Sequence, residues 1–267
     1  MKRRVVTLHI TDRCNKNCSF CYRKDRKNEK KNLPFSFFYD MVPYLAEVTE
    51  QVAIGGGELY YACPKFVEEF SRRCNDYGLI CNITTNGSLP KKIIRYSKYL
   101  TMVSVSYDRE KWSSLVDFML TLHKLRESGI RLGVNFLIDR DTFNPPLKFI
   151  KLVDLFFMEA ERVFVLYPKR VKYHIPILNY KDCYLYIARK YKHFYVDDTT
   201  YKILSERRYR DWNSPCHYGL DTININSDGT VTGCSFADKV LLKLHEVADV
   251  LKIRELKTEK MYSCPYL

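Results

Sequence analysis

The sequence predicts an α/β fold built on parallel strands, and three observations carry that expectation. Over the first two-thirds of the chain, six short β-rich runs alternate with longer amphipathic stretches, the pattern of successive βαβ units. Residues that build sites rather than cores gather just after these runs, where parallel α/β folds place their working loops. The 267 residues, 46% hydrophobic and 28% charged, are ample to bury a core without covalent staples.

The elements follow in order. Residues 5–10 form a strand and 35–48 a helix, with Phe38, Met41, Val42, Leu45 and Val48 near helical spacing. Residues 51–54 are a second strand, ending in Gly55-Gly56-Gly57. A helix over 63–77 leads to a strand over 79–84, closed by Thr85-Asn86-Gly87. The alternation continues with a helix over 89–98, a strand over 101–107, a helix over 110–128 and a strand over 130–138. A helix over 146–160 and a strand over 162–167 complete it. Six units fall short of the eight that close a barrel, which leaves a partial barrel or an open sheet. Beyond residue 170 the pattern changes: 179–194 reads as a helix rich in Tyr and Lys, and 195–210 carries no clear period. Residues 220–226 and 230–234 flank Ser227-Asp228-Gly229 as a hairpin, and 244–256 is a last helix. Length sets one or two domains, and this change of pattern predicts two: a core over 1–204 and a small C-terminal unit over 205–267.

Composition removes several classes. No apolar run approaches the ~18 residues of a membrane span. Met1-Lys2-Arg3-Arg4 is charged like a signal peptide, but the apolar stretch behind it turns polar at Thr11-Asp12-Arg13 with no cleavage site. A cytoplasmic location is expected, where bunched cysteines hold metal more often than disulfides. Lys+Arg exceeds Asp+Glu by 44 − 31 = +13. Such a balance fits nucleic acid, an anionic substrate or a solvated lysine-rich surface, and part of it lies in one run over 23–31. The 21 Tyr and 15 Phe spread through predicted helices, where aromatics build core more often than a base-stacking platform.

The ten cysteines are unevenly spaced. Cys14, Cys18 and Cys21 share the loop after the first strand, and thiolates are the usual ligands of iron–sulfur clusters and structural zinc. Three thiols on one short loop can hold three corners of a cubane and leave one iron open. Zinc needs a fourth Cys or His nearby, and His9 lies inside the presumed strand. Spacing alone therefore favours a cluster and leaves zinc open. Cys63, Cys74 and Cys81 sit in apolar contexts as small core residues.

The string from Leu8 through Cys14-Asn15-Lys16-Asn17-Cys18-Ser19-Phe20-Cys21-Tyr22 resembles the signature C-x-x-x-C-x-Φ-C of the radical S-adenosylmethionine (radical SAM) enzymes. The resemblance spans about residues 4–168 and implies a partial (β/α)6 barrel. It implies a [4Fe–4S] cluster on Cys14, Cys18 and Cys21 whose open iron chelates SAM. One-electron reduction then yields methionine and a 5′-deoxyadenosyl radical that abstracts a substrate hydrogen. Phe20 matches the residue whose backbone meets adenine. Gly56-Gly57-Glu58 is similar to the element that binds the methionine amino group, with Leu59 where the family usually has Pro. Thr85-Asn86-Gly87 matches a T-N-G element. Ser106 and Asp108 fall at an S-x-D that lies near the ribose and the methionine carboxylate.

Cys216, Gly229 and Cys234 match the opening of the SPASM and twitch extensions of these enzymes, C-x(9–15)-G-x4-C. With Cys264 they would hold one auxiliary [4Fe–4S] cluster in a twitch-like hairpin-plus-helix unit, Cys183 or His217 being candidate fourth ligands. The resemblance implies an oxidoreductase-type enzyme acting on a peptide or protein side chain. A flavodoxin- or ferredoxin-like electron donor and a separate peptide-recognition protein are implied partners, with nucleic acid disfavoured. Small-molecule dehydrogenation, cofactor biosynthesis and RNA modification are the enzymatic alternatives. A non-catalytic zinc or iron–sulfur protein binding nucleic acid is the alternative of another class.

Overall fold

The computed structural model describes residues 2–23, 32–169, 174–206, 211–216, 219–256 and 261–264, the side chains of 211–215 and 261–263 excepted. In chain order the elements begin β1 (Val5–Thr11), α1 (Phe35–Asp40), α2 (Val42–Val48), β2 (Gln51–Gly56), α3 (Leu59–Ala62), α4 (Pro64–Asp76), β3 (Ile80–Thr85), α5 (Pro90–Tyr96) and β4 (Met102–Tyr107). They continue α6 (Leu115–Glu127), β5 (Leu132–Leu137), α7 (Leu147–Glu159), β6 (Arg162–Leu166), α8 (Lys181–Lys190), β7 (Phe194–Val196) and α9 (Asp198–Glu206). The last are β8 (Asp211–Cys216), β9 (Thr222–Ile225), β10 (Thr230–Thr232), β11 (Val240–Lys243) and β12 (Met261–Ser263). Among the described residues no helix is long and apolar enough to cross a membrane.

Contacts divide the chain into two compact units: Met1–Asn17, Cys21–Val103 and His217–Lys260 form the first, and Cys18–Phe20, Ser104–Cys216 and Met261–Leu267 the second. In the first unit the strands run in the order β11-β10-β9-β1-β2-β3. β1 is parallel to both β2 and β9, β2 is parallel to β3, and β9-β10-β11 is an antiparallel meander. Val6, Leu8, Val52, Ile54, Cys81 and Ile83 from the strands are buried, as are Val42, Leu45 and Val48 of α2 and Phe66, Val67 and Phe70 of α4. In the second unit β5-β6-β7 is a parallel sheet. Its core is aromatic: Tyr107, Phe118, Phe136 and Phe156 meet with ring centroids 4.7–5.7 Å apart, most of the pairs tilted or edge-on.

The α/β class with a parallel sheet is as expected, and differences lie at element ends. The helix expected over 35–48 is broken at Met41 because Pro43, lacking an N–H, starts a new helix more easily than it continues one. Pro64 likewise opens α4, and the turn before it, α3, is capped by the Glu58 carboxylate accepting from Tyr60 N. The helix expected over 179–194 is a 3-10 turn, Ile177–Tyr180, followed by α8, and its last residue already belongs to β7. Three residues are too few to display a strand period, so β7 was invisible. The segment over 195–210 contains α9, and the last helix expected over 244–256 is a 3-10 helix, Val247–Glu255. The hairpin is present as β9 and β10. β9 pairs with β1, however, so residues 217–260 group with the first unit and the contact division does not coincide with a boundary at 204/205.

Candidate functional site

The loop after β1 carries Cys14, half-buried, Cys18, buried, and Cys21, half-buried, none of them in a disulfide. Cys14 and Cys21 belong by contacts to the first unit, and Cys18-Ser19-Phe20 to the second. Cys14 Sγ accepts from the Lys16 backbone N–H at 3.4 Å. Among the described residues no three His, Cys, Asp or Glu side chains are gathered closely enough to hold a metal ion.

The Gly56-Gly57-Glu58 segment is laid against the start of that loop. Gly57 N donates to Thr11 O at 2.7 Å and Glu58 N to Arg13 O at 2.9 Å, which extends the β1–β2 ladder past the strand ends. Gly56 has φ +99°, open only to glycine at low cost, and a Cβ on Gly57 would lie 2.3 Å from Arg13 O. These glycines serve backbone-on-backbone docking of the cysteine loop.

Glu58 is buried and ties β2 to β3. Its Oε2 accepts from the Thr85 hydroxyl at 2.9 Å and Asn86 N at 2.7 Å, and Oε1 accepts from Tyr60 N at 3.3 Å. Asn86, also buried, donates through Nδ2 to Asn15 Oδ1 at 2.9 Å, and that nitrogen lies 4.0 Å from Cys14 Sγ. Asn15 Nδ2 in turn donates to Ser88 Oγ at 2.9 Å. The structure therefore joins Glu58, Thr85 and Asn86 to the first cysteine's neighbourhood in one hydrogen-bonded chain. Asn15 was not marked in the sequence, where Asn in a loop reads only as a turn former.

In the second unit, Asp108 follows β4 and is buried; its Oδ1 accepts from Lys111 N at 2.8 Å and its Oδ2 pairs with Lys111 Nζ at 2.7 Å. The Lys111 ammonium also stands 5.3 Å from the centroid of the Phe20 ring. Ser19 donates to the Glu110 carboxylate through both its hydroxyl and its backbone N–H, the latter at 2.7 Å. Ser106 is half-buried and its carbonyl accepts from the Trp112 indole N–H at 3.0 Å. The loop after β4 thus holds the middle of the cysteine loop through Glu110 and Lys111, two residues that read as ordinary surface charges in the sequence.

The C-terminal cysteines are more dispersed. Cys216 ends β8 and Cys264 follows β12, both in the second unit, whereas Cys234 follows β10 in the first. The β8–β12 register sets Cys216 opposite Met261 and Asp211 opposite Ser263, so Cys264 lies beyond the far end of the pair from Cys216. Cys183 is half-buried on α8, and burial pushes its thiol pKa up; His217 lies outside the described residues. Of the three thiols expected in the core, Cys74 and Cys81 are fully buried and Cys63, next to Pro64 at the start of α4, is only half-buried; a hydrogen bond with Cys74 together with burial raises the Cys81 thiol well above its ordinary value.

The chain matches the family model described as the radical SAM superfamily over residues 8–153. It is 26% identical over 192 residues to an uncharacterized protein of Methanocaldococcus jannaschii, covering 65% of this chain and 66% of that one. It is 25% identical over 164 residues to an S-adenosylmethionine-dependent nucleotide dehydratase of Flammeovirga pacifica, covering 53% and 56%. The chain thus spans less than two-thirds of the length of either relative. Among solved structures, Streptococcus suis SuiB bound to S-adenosylmethionine superposes with a TM-score of 0.75 at 16% identity, covering 99% of this chain and 67% of SuiB. Native anSMEcpe with bound AdoMet and the Kp18Cys peptide gives 0.67 at 14% identity, covering 94% and 79%. The fold is of the same class as in those structures, the partial-barrel α/β class expected from the sequence.

Proposed function

The chain belongs to the radical SAM superfamily, and on that premise we propose that it reductively cleaves SAM and abstracts a hydrogen from a peptide or protein substrate. The observation that carries this reading is the loop of three cysteine thiols directly after β1, within the matched residues 8–153. The donor set fits a [4Fe–4S] cluster: three thiols within eight residues would supply three ligands and leave one iron for SAM. When bound, the cluster supplies the electron that cleaves SAM to methionine and a 5′-deoxyadenosyl radical.

The chain's own residues would bind and orient. Cys14, Cys18 and Cys21 would hold the iron. Gly56, Gly57, Glu58, Thr85, Asn86, Phe20, Ser106 and Asp108 would bind SAM, as the family resemblance implies. Glu58 already accepts from Tyr60, Thr85 and Asn86, so its carboxylate is fixed in position before any ammonium arrives. Cys216, Cys234 and Cys264 would hold an auxiliary [4Fe–4S] cluster. The peptide reading is supported by fold likeness to SuiB, whose structure is also known bound to its precursor peptide SuiA, and to anSMEcpe with a peptide. A reduced flavodoxin- or ferredoxin-like protein would supply the electron, and a separate protein could present the peptide.

A second reading follows from the nucleotide dehydratase relative and the +13 charge: a nucleotide as the hydrogen donor. Anaerobic reconstitution tests the shared core. A brown protein with about eight irons, forming 5′-deoxyadenosine under dithionite, is the expected result; bound zinc without SAM cleavage would sink both readings. About four irons with intact cleavage would remove the auxiliary cluster alone. Stimulation of cleavage by nucleotides, and not by peptides, would replace the first substrate class by the second.

A further inference from the structure

The cysteine loop is closed at its neck by a buried ion pair that the family signature does not contain. Asp12 lies two residues before Cys14 and Arg23 two residues after Cys21. Both side chains are 3% exposed, and the Arg23 guanidinium meets the Asp12 carboxylate through Nε and Nη2. The pair is enclosed by groups that match it. Arg23 Nη1 donates to His9 Nδ1 at 2.6 Å and to Asn226 Oδ1 at 2.9 Å. With Nδ1 accepting, the neutral imidazole carries its proton on Nε2, which stands 3.1 Å from the hydroxyl oxygen of Tyr22, the residue after Cys21. The other Asp12 oxygen accepts from the Ser227 hydroxyl. Asn226 and Ser227 belong to the turn between β9 and β10, so the neck is fastened to the sheet on a strand far along the chain.

We propose that Asp12 and Arg23 are a positioning pair for the iron site: they pin both ends of the loop that bears Cys14, Cys18 and Cys21 before iron is bound. This inference rests on the reading of that loop as a cluster site. Ion pairs desolvated to this extent do not repay their burial by stability alone. What this pair provides is a fixed separation between the two loop ends. With the ends fixed, gathering the thiols round iron requires only torsions inside the loop. The open-necked loop would also have to forfeit the freedom of its ends, a cost that grows with loop length. Arg23 opens the basic run over 23–31 and so read as solvated charge, yet it is among the most buried cations of the described residues.

The test compares wild type with Asp12→Asn/Arg23→Gln, which removes both charges and keeps hydrogen-bonding groups, and with Ser227→Ala, which removes one donor and leaves no charge unpaired. Arg23→Lys is the conservative rescue. Each protein is reconstituted with iron and sulfide, and three quantities are read: the rate of iron loss to a chelator, the electron paramagnetic resonance of the reduced cluster, and the reaction rate of the thiols in iron-free protein. The expected result is iron loss at least tenfold faster in the double variant and a few-fold faster in Ser227→Ala, with shifted resonance and faster-reacting thiols. Arg23→Lys should fall between the double variant and wild type. Iron loss and resonance equal to wild type in a folded double variant or in Ser227→Ala overturn the proposal. Failure of the double variant to fold leaves Ser227→Ala as the deciding measurement. A wild type that takes up no iron refutes the cluster reading itself, a result separable from failure of the clamp.

Discussion

Glycine at position 57 is required by distance. The nearest atoms to its missing side chain are the backbone O, C and N of Arg13, all within 3.0 Å, and backbone cannot rotate aside. Gly57→Ala should cost about 2–3 kcal/mol, at the upper end of overpacking penalties, and should loosen the cysteine loop; urea unfolding measures the first and iron retention the second. Gly78 is the control: its φ is +69° and nothing lies within 4 Å of its would-be Cβ, so Gly78→Ala should lose only about 1–2 kcal/mol of backbone preference and retain iron normally. Equal effects at the two positions would refute the contact argument. The glycine triplet was conspicuous in the sequence, but the reason for it was not, because a sequence cannot say which neighbouring backbone approaches. The same limit hid Glu110, Lys111 and Arg23. A charged residue's partner is set by folding, and without the fold each reads as surface.

Elements of the parallel sheet were legible because their strands are continuous apolar or β-branched runs, as in Val5-Val6-Thr7-Leu8-His9-Ile10, followed by helices of ordinary length. Boundaries were less so. Proline reset two helices, and caps set others: α6 begins at Leu115 rather than near 110 because the Ser114 hydroxyl accepts from Asp117 N at 3.2 Å, satisfying one of the first-turn donors. Glu110 and Lys111, expected at the helix start, are instead engaged in the turn that grips Ser19 and Phe20. Ser114→Ala should therefore destabilise the protein by about 1 kcal/mol without altering iron content. A larger loss, or any loss of iron, would mean that α6 is coupled to the loop after β4 more tightly than its capping hydrogen bond accounts for.

For the chain as a whole, the least legible feature was which strand covers the outer side of β1. Local pattern marked residues 220–234 as a hairpin, and nothing local can reveal that its first strand lies parallel to β1, since pairing between distant segments leaves no trace in spacing. The pairing predicts that amides of Ile223 and Ile225 exchange with solvent hydrogen as slowly as those of Val6 and Leu8, and far more slowly than those of the edge strand β11; native-state exchange measured residue by residue decides this. Rapid exchange along β9 would show that the strand is only weakly held. The arrangement also orders events during synthesis. His9 and Asn226 are separated by 217 positions and Asp12 and Ser227 by 215, so β1 waits, with one flank unpaired, while most of the chain is still being translated. An unpaired flank is a template for mispairing in the nascent protein. The neck of the cysteine loop gains its last partners only when the turn after β9 emerges, so under the proposed cluster reading iron would be loaded late, after translation has passed residue 227.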